Sequence, residues 1–251
     1  MRGVRTRQSE RRERLGRDGG PGCEGLRRAV FALLFAALLL GALPVLGHGV
    51  AERDEQFLAA NSGFAPVVFV YLGAKHMVTG YDHLLFLAGV IFFLYRFADV
   101  ALYVTLFAVG HSITLLLGVL ADLHVDVYLI DAIIGFSVVY KAFENLGGMR
   151  ALGLRWDTRV ATLVFGLFHG LGLATKLQEV ALAEEGLVGN MLSFNLGVEL
   201  GQLTALTAIL VVFAAWRASG RFERHAAMTN WLLMVAGFVL MGVQIAGYFV
   251  A

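Results

Sequence analysis

Six apolar segments separated by short polar loops occupy the chain from residue 64 onward. Hydrophobic side chains make up 58% of the 251 residues, and the mean hydropathy is +0.73. A soluble domain of this length cannot bury so much apolar surface, so a lipid bilayer must cover part of it. The sequence therefore predicts an all-α, polytopic membrane helical bundle with about six transmembrane helices. The predicted spans are 64–95, 99–121, 127–146, 160–176, 187–216 and 229–250.

The first apolar segment, residues 64–95, is too long for one ordinary span. As a single helix it would measure roughly 48 Å, whereas the hydrocarbon core of a bilayer is about 30 Å thick. Gly80 lies in the middle of the segment. We therefore predict a break at this glycine, with residues 64–79 forming an interfacial or re-entrant helix and residues 81–95 forming the span itself.

Residues 1–47 are typical of a leader with a signal peptide. Arg27 and Arg28 precede an apolar run over residues 29–41, and Pro44 and small residues follow it. This order predicts cleavage near Gly47/His48 and a single six-span membrane domain over residues 48–251; a retained anchor is the alternative. The only cysteine, Cys23, lies in the leader, so a processed protein would contain no thiolate ligand.

Charged residues in the loops predict the orientation of the chain. Basic loops remain in the cytoplasm, and one set of alternate loops is basic while the other is acidic. A cleaved signal peptide independently places residue 48 outside, so both arguments predict a multi-pass protein of the cell inner membrane with periplasmic N- and C-termini. The basic excess belongs to the leader, which argues against a nucleic-acid partner. The basic loops contain Arg96, then Arg150, Arg155 and Arg159, then Arg217, Arg221 and Arg224; the others contain Asp122, His124 and Asp126, then Glu179, Glu184 and Glu185.

Several ionisable residues fall within the predicted spans, where each costs at least about 2.5–3.5 kcal/mol and marks a functional site by default. His76 and His83 are two helical turns apart on one face, and Asp82 adjoins His83. His111 and His169 lie near the middle of the second and fourth spans. Imidazole and carboxylate without thiolate suit Zn, Ni, Co, Mn or Fe(II). The alternatives are polar groups that meet headgroups and water and histidines that join helices by hydrogen bonds.

Other polar and glycine patterns allow two interpretations each. Asn195, Glu199 and Gln202 follow an i, i+4, i+7 spacing on the fifth span, which indicates either part of an ion path or a buried polar network. Lys141 and Glu144 are interpreted as a structural ion pair, and Asp131 as a helix cap or a group that meets outside water. The G-x-x-x-G patterns Gly166/Gly170 and Gly197/Gly201 predict that the fourth and fifth spans approach closely.

Four segments together resemble one family of membrane proteins. The first is His76, five residues, then Asp82 and His83; the others are residues 110–115, 165–172 and 194–202. The chain resembles the HupE/UreJ family over about residues 48–215. The resemblance implies nickel supply to hydrogenase and urease, with a metalloenzyme maturation system as partner. In the nickel branch a second His-Gly and a Glu follow Phe-His-Gly, whereas Leu171 to Ala174 stand here, so the chain resembles a sister branch.

We therefore expect a permease that moves a divalent transition metal, nickel before cobalt or zinc, into the cytoplasm. The expected route begins with capture outside at His76, Asp82 and His83. It continues past His111, His169 and Glu199, with Asn195 and Gln202 as supporting polar groups. An intramembrane metal-dependent enzyme and a non-transporting assembly factor are the alternatives. The sequence contains neither a Walker A pattern nor H-E-x-x-H, so we expect neither ATP hydrolysis nor zincin-type catalysis.

Histidine ligands predict that metal uptake depends on pH. A protonated imidazole cannot bind a cation, so uptake into proteoliposomes should weaken below about pH 6, near the reference pKa of histidine. Uptake measured at several values between pH 5 and 8 tests this expectation, and a flat profile would argue against imidazole ligation.

Overall fold

The computed structural model describes residues 63–154, 156–179 and 186–250, without the side chain of Glu179. This part of the chain forms eight helices and no strand. The predicted leader, residues 1–47, and its cleavage site lie outside the described residues and stay predictions. The helices are α1 (Pro66–Thr79), α2 (Tyr81–Ile91), α3 (Phe97–Leu120), α4 (Val127–Asn145), α5 (Gly148–Ala151), α6 (Thr158–Glu179), α7 (Leu187–Ala218) and α8 (Phe222–Val250).

Four of these helices are long and apolar enough to cross a membrane: α3, residues Thr158–Gln178 of α6, α7 and α8. Helix α2 is apolar but shorter. Helix α4 has the length of a span but carries three ionisable side chains, Asp131, Lys141 and Glu144. The prediction of an all-helical membrane bundle is confirmed, whereas the number of six spans stays a prediction.

The first apolar segment is broken where the sequence predicts a break. Gly80 has an extended backbone, with φ −73° and ψ 104°, and separates α1 from α2. The interpretation of residues 64–79 as an interfacial or re-entrant helix is wrong, because α1 packs lengthwise against α7 and buries Phe69, Leu72 and Met77. Both α1 and α2 run in the direction of α7, since the start of α1 lies by the start of α7 and Phe92, after α2, contacts Arg217 near the end of α7.

Glycines on both partners form the three closest helix pairs, which are α3 with α6, α1 with α7 and α4 with α8. A Cβ atom at Gly166 would overlap the carbonyl oxygen of Phe107 on α3, and one at Gly197 would overlap that of Val70 on α1. In the third pair, Gly135 lies against the backbone of Met241. The two G-x-x-x-G helices therefore do approach neighbours closely, but each has a different partner, which corrects the expectation that they approach each other.

The glycine contacts also give the direction of each pair. Helices α3 and α6 are parallel, because Gly166 lies opposite Phe107 and Gly170 lies opposite His111. Helices α1 and α7 are parallel too. Helices α4 and α8 are antiparallel. Helix α3 begins at the end of the bundle where α2 and α7 end, so it runs in the opposite direction to α7.

The three arginine-containing loops meet at one end of the bundle. Arg217 donates a hydrogen bond to the carbonyl oxygen of Phe92 at 2.6 Å, and its guanidinium stacks 4.2 Å from the ring centre of Tyr95. Asn145 donates to Asn230 at 2.9 Å, which joins the end of α4 to the start of α8. The loop that contains Asp122 and Asp126 lies at the opposite end. This described acidic loop is thus separated from the basic loops as expected, while the loop that contains Glu184 and Glu185 lies outside the described residues and the cellular sides stay predictions.

Helix α4 takes part in two partly buried ion pairs, one within the helix and one with α6. Lys141 Nζ lies 2.7 Å from Glu144 Oε2, which confirms that structural pair. Asp131 pairs with Lys176 of α6 at 2.7 Å, so its interpretation as a helix cap or water-exposed group is wrong. Asp126 caps α4 instead, since its carboxylate accepts a hydrogen bond from the Leu129 amide at 2.9 Å.

Replacing Gly197 by alanine should destabilise the protein, because the new Cβ atom would force α1 away from α7. Overpacking of this kind costs about 1–3 kcal/mol, which should lower the thermal unfolding midpoint of detergent-purified protein. Gly242 of α8 is the matched control, since a Cβ atom there meets nothing within 4 Å. Alanine favours a helix over glycine by up to about 1 kcal/mol, so Gly242→Ala should be neutral or stabilising. Equal midpoints for the two variants would contradict the close packing of α1 against α7.

Candidate metal centre

Three imidazole rings surround that of His83, and the four rings come from four different helices. The ring centroid of His83 lies 5.0 Å from that of His76, 5.8 Å from that of His111 and 4.8 Å from that of His169. One nitrogen from each of His76, His83 and His111 lies within 4.8 Å of the others. Since these rings come from α1, α2, α3 and α6, the cluster forms only when the bundle is assembled.

Helix α2 occupies the centre of the bundle, with contacts to α1, α3, α4, α7 and α8. His83 is its third residue, so the ring stands next to the break at Gly80. A Cβ atom at Gly80 would lie only 2.8 Å from His83 Nδ1 and 3.0 Å from Asp82 Oδ1. A glycine is therefore needed here, because any side chain would enter the space that the imidazole and carboxylate occupy.

The close approach of α6 to α3 fixes two further imidazoles at one level. Gly170 lies against the carbonyl oxygen of His111, and Thr114 donates a hydrogen bond to the carbonyl oxygen of Leu167 at 2.6 Å. His169 adjoins Gly170, so this contact brings the His111 and His169 side chains to the same depth. Along each helix that depth is about 16–21 Å from the arginine end, near the middle of the bundle.

The carboxylate of Asp82 orients His83. Asp82 Oδ1 lies 3.0 Å from His83 Nδ1 and also accepts a hydrogen bond from the His83 backbone amide at 2.9 Å. An ionised carboxylate can only accept, so Nδ1 carries the proton and Nε2 presents its lone pair. Histidines that bind metals typically donate their other nitrogen to a carboxylate or a carbonyl in this way.

His169 is oriented by a backbone carbonyl instead. Its Nδ1 lies 2.7 Å from the carbonyl oxygen of Phe165, one turn earlier on α6. A carbonyl oxygen has no proton to give, so Nδ1 must be the donor and Nε2 is left unprotonated. That second nitrogen is buried and has no hydrogen-bond partner among the described residues.

Burial makes these nitrogens costly unless something binds them. His111, His169 and His83 are 0%, 1% and 3% exposed. Both ring nitrogens of His111, and Nε2 of the other two, lack a hydrogen-bond partner within the described ranges. Each buried polar atom left without a partner costs about 1–3 kcal/mol. Several such atoms facing one another suit a cation, because neutral imidazole is a ligand for Ni, Zn, Co and Cu.

Phenylalanine rings surround the imidazoles. Phe107 lies 4.9 Å from His169 and 6.1 Å from His83, measured between ring centroids. Phe86 lies 5.7 Å from His169, and Phe194 lies 6.2 Å from His76. This apolar shell limits the access of water to the cluster, which would strengthen the attraction between the imidazoles and a cation.

The structure brings together five of the six predicted metal ligands, namely His76, Asp82, His83, His111 and His169. The expected sequence of separate stations is therefore replaced by a single cluster, in which Asp82 holds His83 in place. Glu199 is not part of the cluster: its side chain is exposed on α7, because that helix buries its glycine face against α1 instead. Asn195 and Gln202 are buried on α7 as expected of supporting groups. Metal binding by these residues stays a prediction.

Two features of the cluster are not predicted by the sequence. The Phe165 carbonyl that orients His169 is a backbone group, so no residue type reveals it. Phe107 looks like an ordinary apolar residue of α3, although it comes one turn before His111 and shares its face. That spacing was the one signal that could have placed its ring beside the imidazoles.

Comparison with known proteins gives one result at the level of a family. A family model described as HupE / UreJ protein matches residues 52–251. No curated protein and no solved structure matches the chain. The matched range includes every residue of the imidazole cluster.

Replacing Asp82 by alanine should weaken metal binding without abolishing it. The variant removes the acceptor that orients His83, and loss of such a group typically costs about 10–100-fold in metal affinity. Nickel titration of the detergent-purified protein by calorimetry measures the change. Asp122, exposed in the loop after α3, is the control, and Asp122→Ala should bind nickel as the unmodified protein does. Equal affinities for both variants would show that Asp82 does not act on the cluster.

Proposed function

Because the chain belongs to the HupE/UreJ family, we propose that it binds a divalent transition metal ion at His76, His83, His111 and His169 and moves it into the cytoplasm. The observation that carries this proposal is the convergence of four imidazoles, with unpartnered nitrogens on three of them, inside a bundle of apolar helices. A soluble metal-binding protein would not need to place such a site among helices long enough to span a membrane.

The arrangement of helices supports movement of the ion. His76 belongs to the glycine-packed pair α1–α7, whereas His111 and His169 belong to the pair α3–α6. His83 stands between them on the short α2, directly after the break at Gly80. A shift of one pair against the other would separate the ligands into two groups and release the ion. Rocking of rigid helix groups around a site near the middle of the membrane is a general mode of transport.

Nickel is the proposed ion, with cobalt and zinc as alternatives. The family's association with nickel supply to hydrogenase and urease supports nickel, and imidazole ligands are compatible with all three metals. The arginine-rich end is the proposed cytoplasmic side, since basic loops remain there. In this proposal the chain is a multi-pass protein of the inner membrane. The metal that it releases on the cytoplasmic side would go to a metalloenzyme maturation system.

The proposal predicts that metal uptake depends on the cluster. In proteoliposomes that contain the purified protein, nickel should accumulate faster than in empty liposomes, with cobalt, zinc and manganese as competitors. His83→Ala and His169→Ala should reduce uptake at least tenfold, because each removes one ligand of the central group. His124, exposed in the loop after α3, is the matched histidine control, and His124→Ala should transport normally.

The same experiment separates the proposal from its alternatives. Equal uptake by all variants would remove the cluster from the transport path. Tight metal binding without flux would contradict the permease; turnover of a substrate by the loaded protein would then support an intramembrane enzyme, and a stable complex with a metalloprotein would support an assembly factor.

A further inference from the structure

The buried side-chain amide of Asn195 on α7 lacks the hydrogen bonds that Asn190 makes on the same helix. Asn195 is 7% exposed, yet neither its Oδ1 nor its Nδ2 has a hydrogen-bond partner among the described residues. Asn190, on the same helix, accepts from the Ala65 amide at 2.9 Å and donates to the Gly63 carbonyl at 2.8 Å. Buried amides in native proteins are nearly always satisfied by protein, water or an ion. Asn195 therefore calls for a partner from outside the described protein groups.

The register between α7 and α3 shows where this amide lies. Gln202 Nε2 donates to the carbonyl oxygen of Val104 at 3.1 Å, which places these two residues at one level. Asn195 lies seven residues before Gln202, and His111 lies seven residues after Val104. Because the two helices are antiparallel, both steps run in the same direction and cover about 10.5 Å. Asn195 and His111 are therefore at the same depth, on the faces that their helices turn to each other.

A second contact locates this part of α7 independently. The ring of Phe194, the residue before Asn195, packs 6.2 Å from the ring of His76. His111 at this level has two buried ring nitrogens without a described partner. The amide and the imidazole thus leave four buried polar atoms without described partners at one depth of the bundle, two on α7 and two on α3.

We infer that Asn195 belongs to the metal site, with its amide oxygen as a neutral oxygen donor beside the imidazole of His111; this inference rests on the proposed function. An oxygen donor on α7 makes the site a mixed nitrogen–oxygen one. It also connects the pair α1–α7 to the bound ion by a second side chain besides His76. Carbonyl oxygen is a harder ligand than imidazole, so the donor shifts the preference of the site toward harder divalent ions.

The test is a comparison of three variants of the purified full chain. Asn195→Leu removes both polar atoms at similar volume, Asn195→Asp keeps an oxygen donor, and Asn190→Leu removes a buried amide that is already satisfied. Calorimetric titration with nickel gives the affinity. The absorption spectrum of the protein loaded with cobalt(II) reports the ligands, and the thermal unfolding midpoint without metal reports stability.

Asn195→Leu should bind nickel about 10–100-fold more weakly and change the cobalt spectrum, while its metal-free midpoint stays equal or rises. Asn195→Asp should bind at least as tightly as the unmodified protein. Asn190→Leu should show the opposite pattern, with a lower midpoint and an unchanged affinity and spectrum of the folded protein. A purely structural role for Asn195 cannot produce this division.

Two results would overturn the inference. In the first, the unmodified protein binds nickel and Asn195→Leu has the same affinity and the same cobalt spectrum. This result would show that the amide of Asn195 does not contact the metal. In the second, Asn195→Leu lowers the thermal unfolding midpoint as much as Asn190→Leu does and leaves the nickel affinity unchanged. This result would show that Asn195 only stabilises the fold. Failure of the unmodified protein to bind any of the metals is a different outcome, because it would remove the proposed function together with this inference.

Discussion

The close contact of α3 with α6, where Gly170 lies against the His111 carbonyl oxygen, is the constraint on which the site depends. Only a glycine allows the two backbones to approach so closely, and this approach brings His111 and His169 together. The pair α1–α7 uses the same device at Gly197 to position His76. Packing by small residues thus replaces the hydrophobic effect that assembles a soluble core, and the imidazole geometry is a direct consequence of it.

The sequence predicted the elements of this fold better than their arrangement. Apolar length located the long helices, and Gly80 marked the break between α1 and α2, because helix length and glycine conformation are local properties. Helix partners are not local: the two G-x-x-x-G patterns show that close contacts exist but not with which neighbour. For this reason the pairing of α1 with α7 could not be read from the chain, and α1 was wrongly expected at the membrane interface or as a re-entrant helix.

The same distinction applies to the site. A histidine in an apolar span is conspicuous because burying its polar ring costs free energy. His76, His83, His111 and His169 were therefore identifiable from residue type alone. Whether a polar residue at a given spacing points inward depends on which face its helix buries, and this left Glu199 exposed and Asn195 buried. Hydrogen bonds to backbone carbonyls, such as that from His169 Nδ1 to the carbonyl oxygen of Phe165, leave no trace in the side-chain pattern.

The parallel pairing of α1 with α7 has a consequence for how the protein is made. Roughly 100 residues separate the end of α1 from the start of α7, so at about 5–20 residues per second α1 waits some 5–20 s for its partner to be synthesised. During this interval the surface around Gly73 faces lipid or the insertion machinery, with its backbone groove open. The imidazole cluster can therefore form completely only near the end of translation, after α7 has packed against α1.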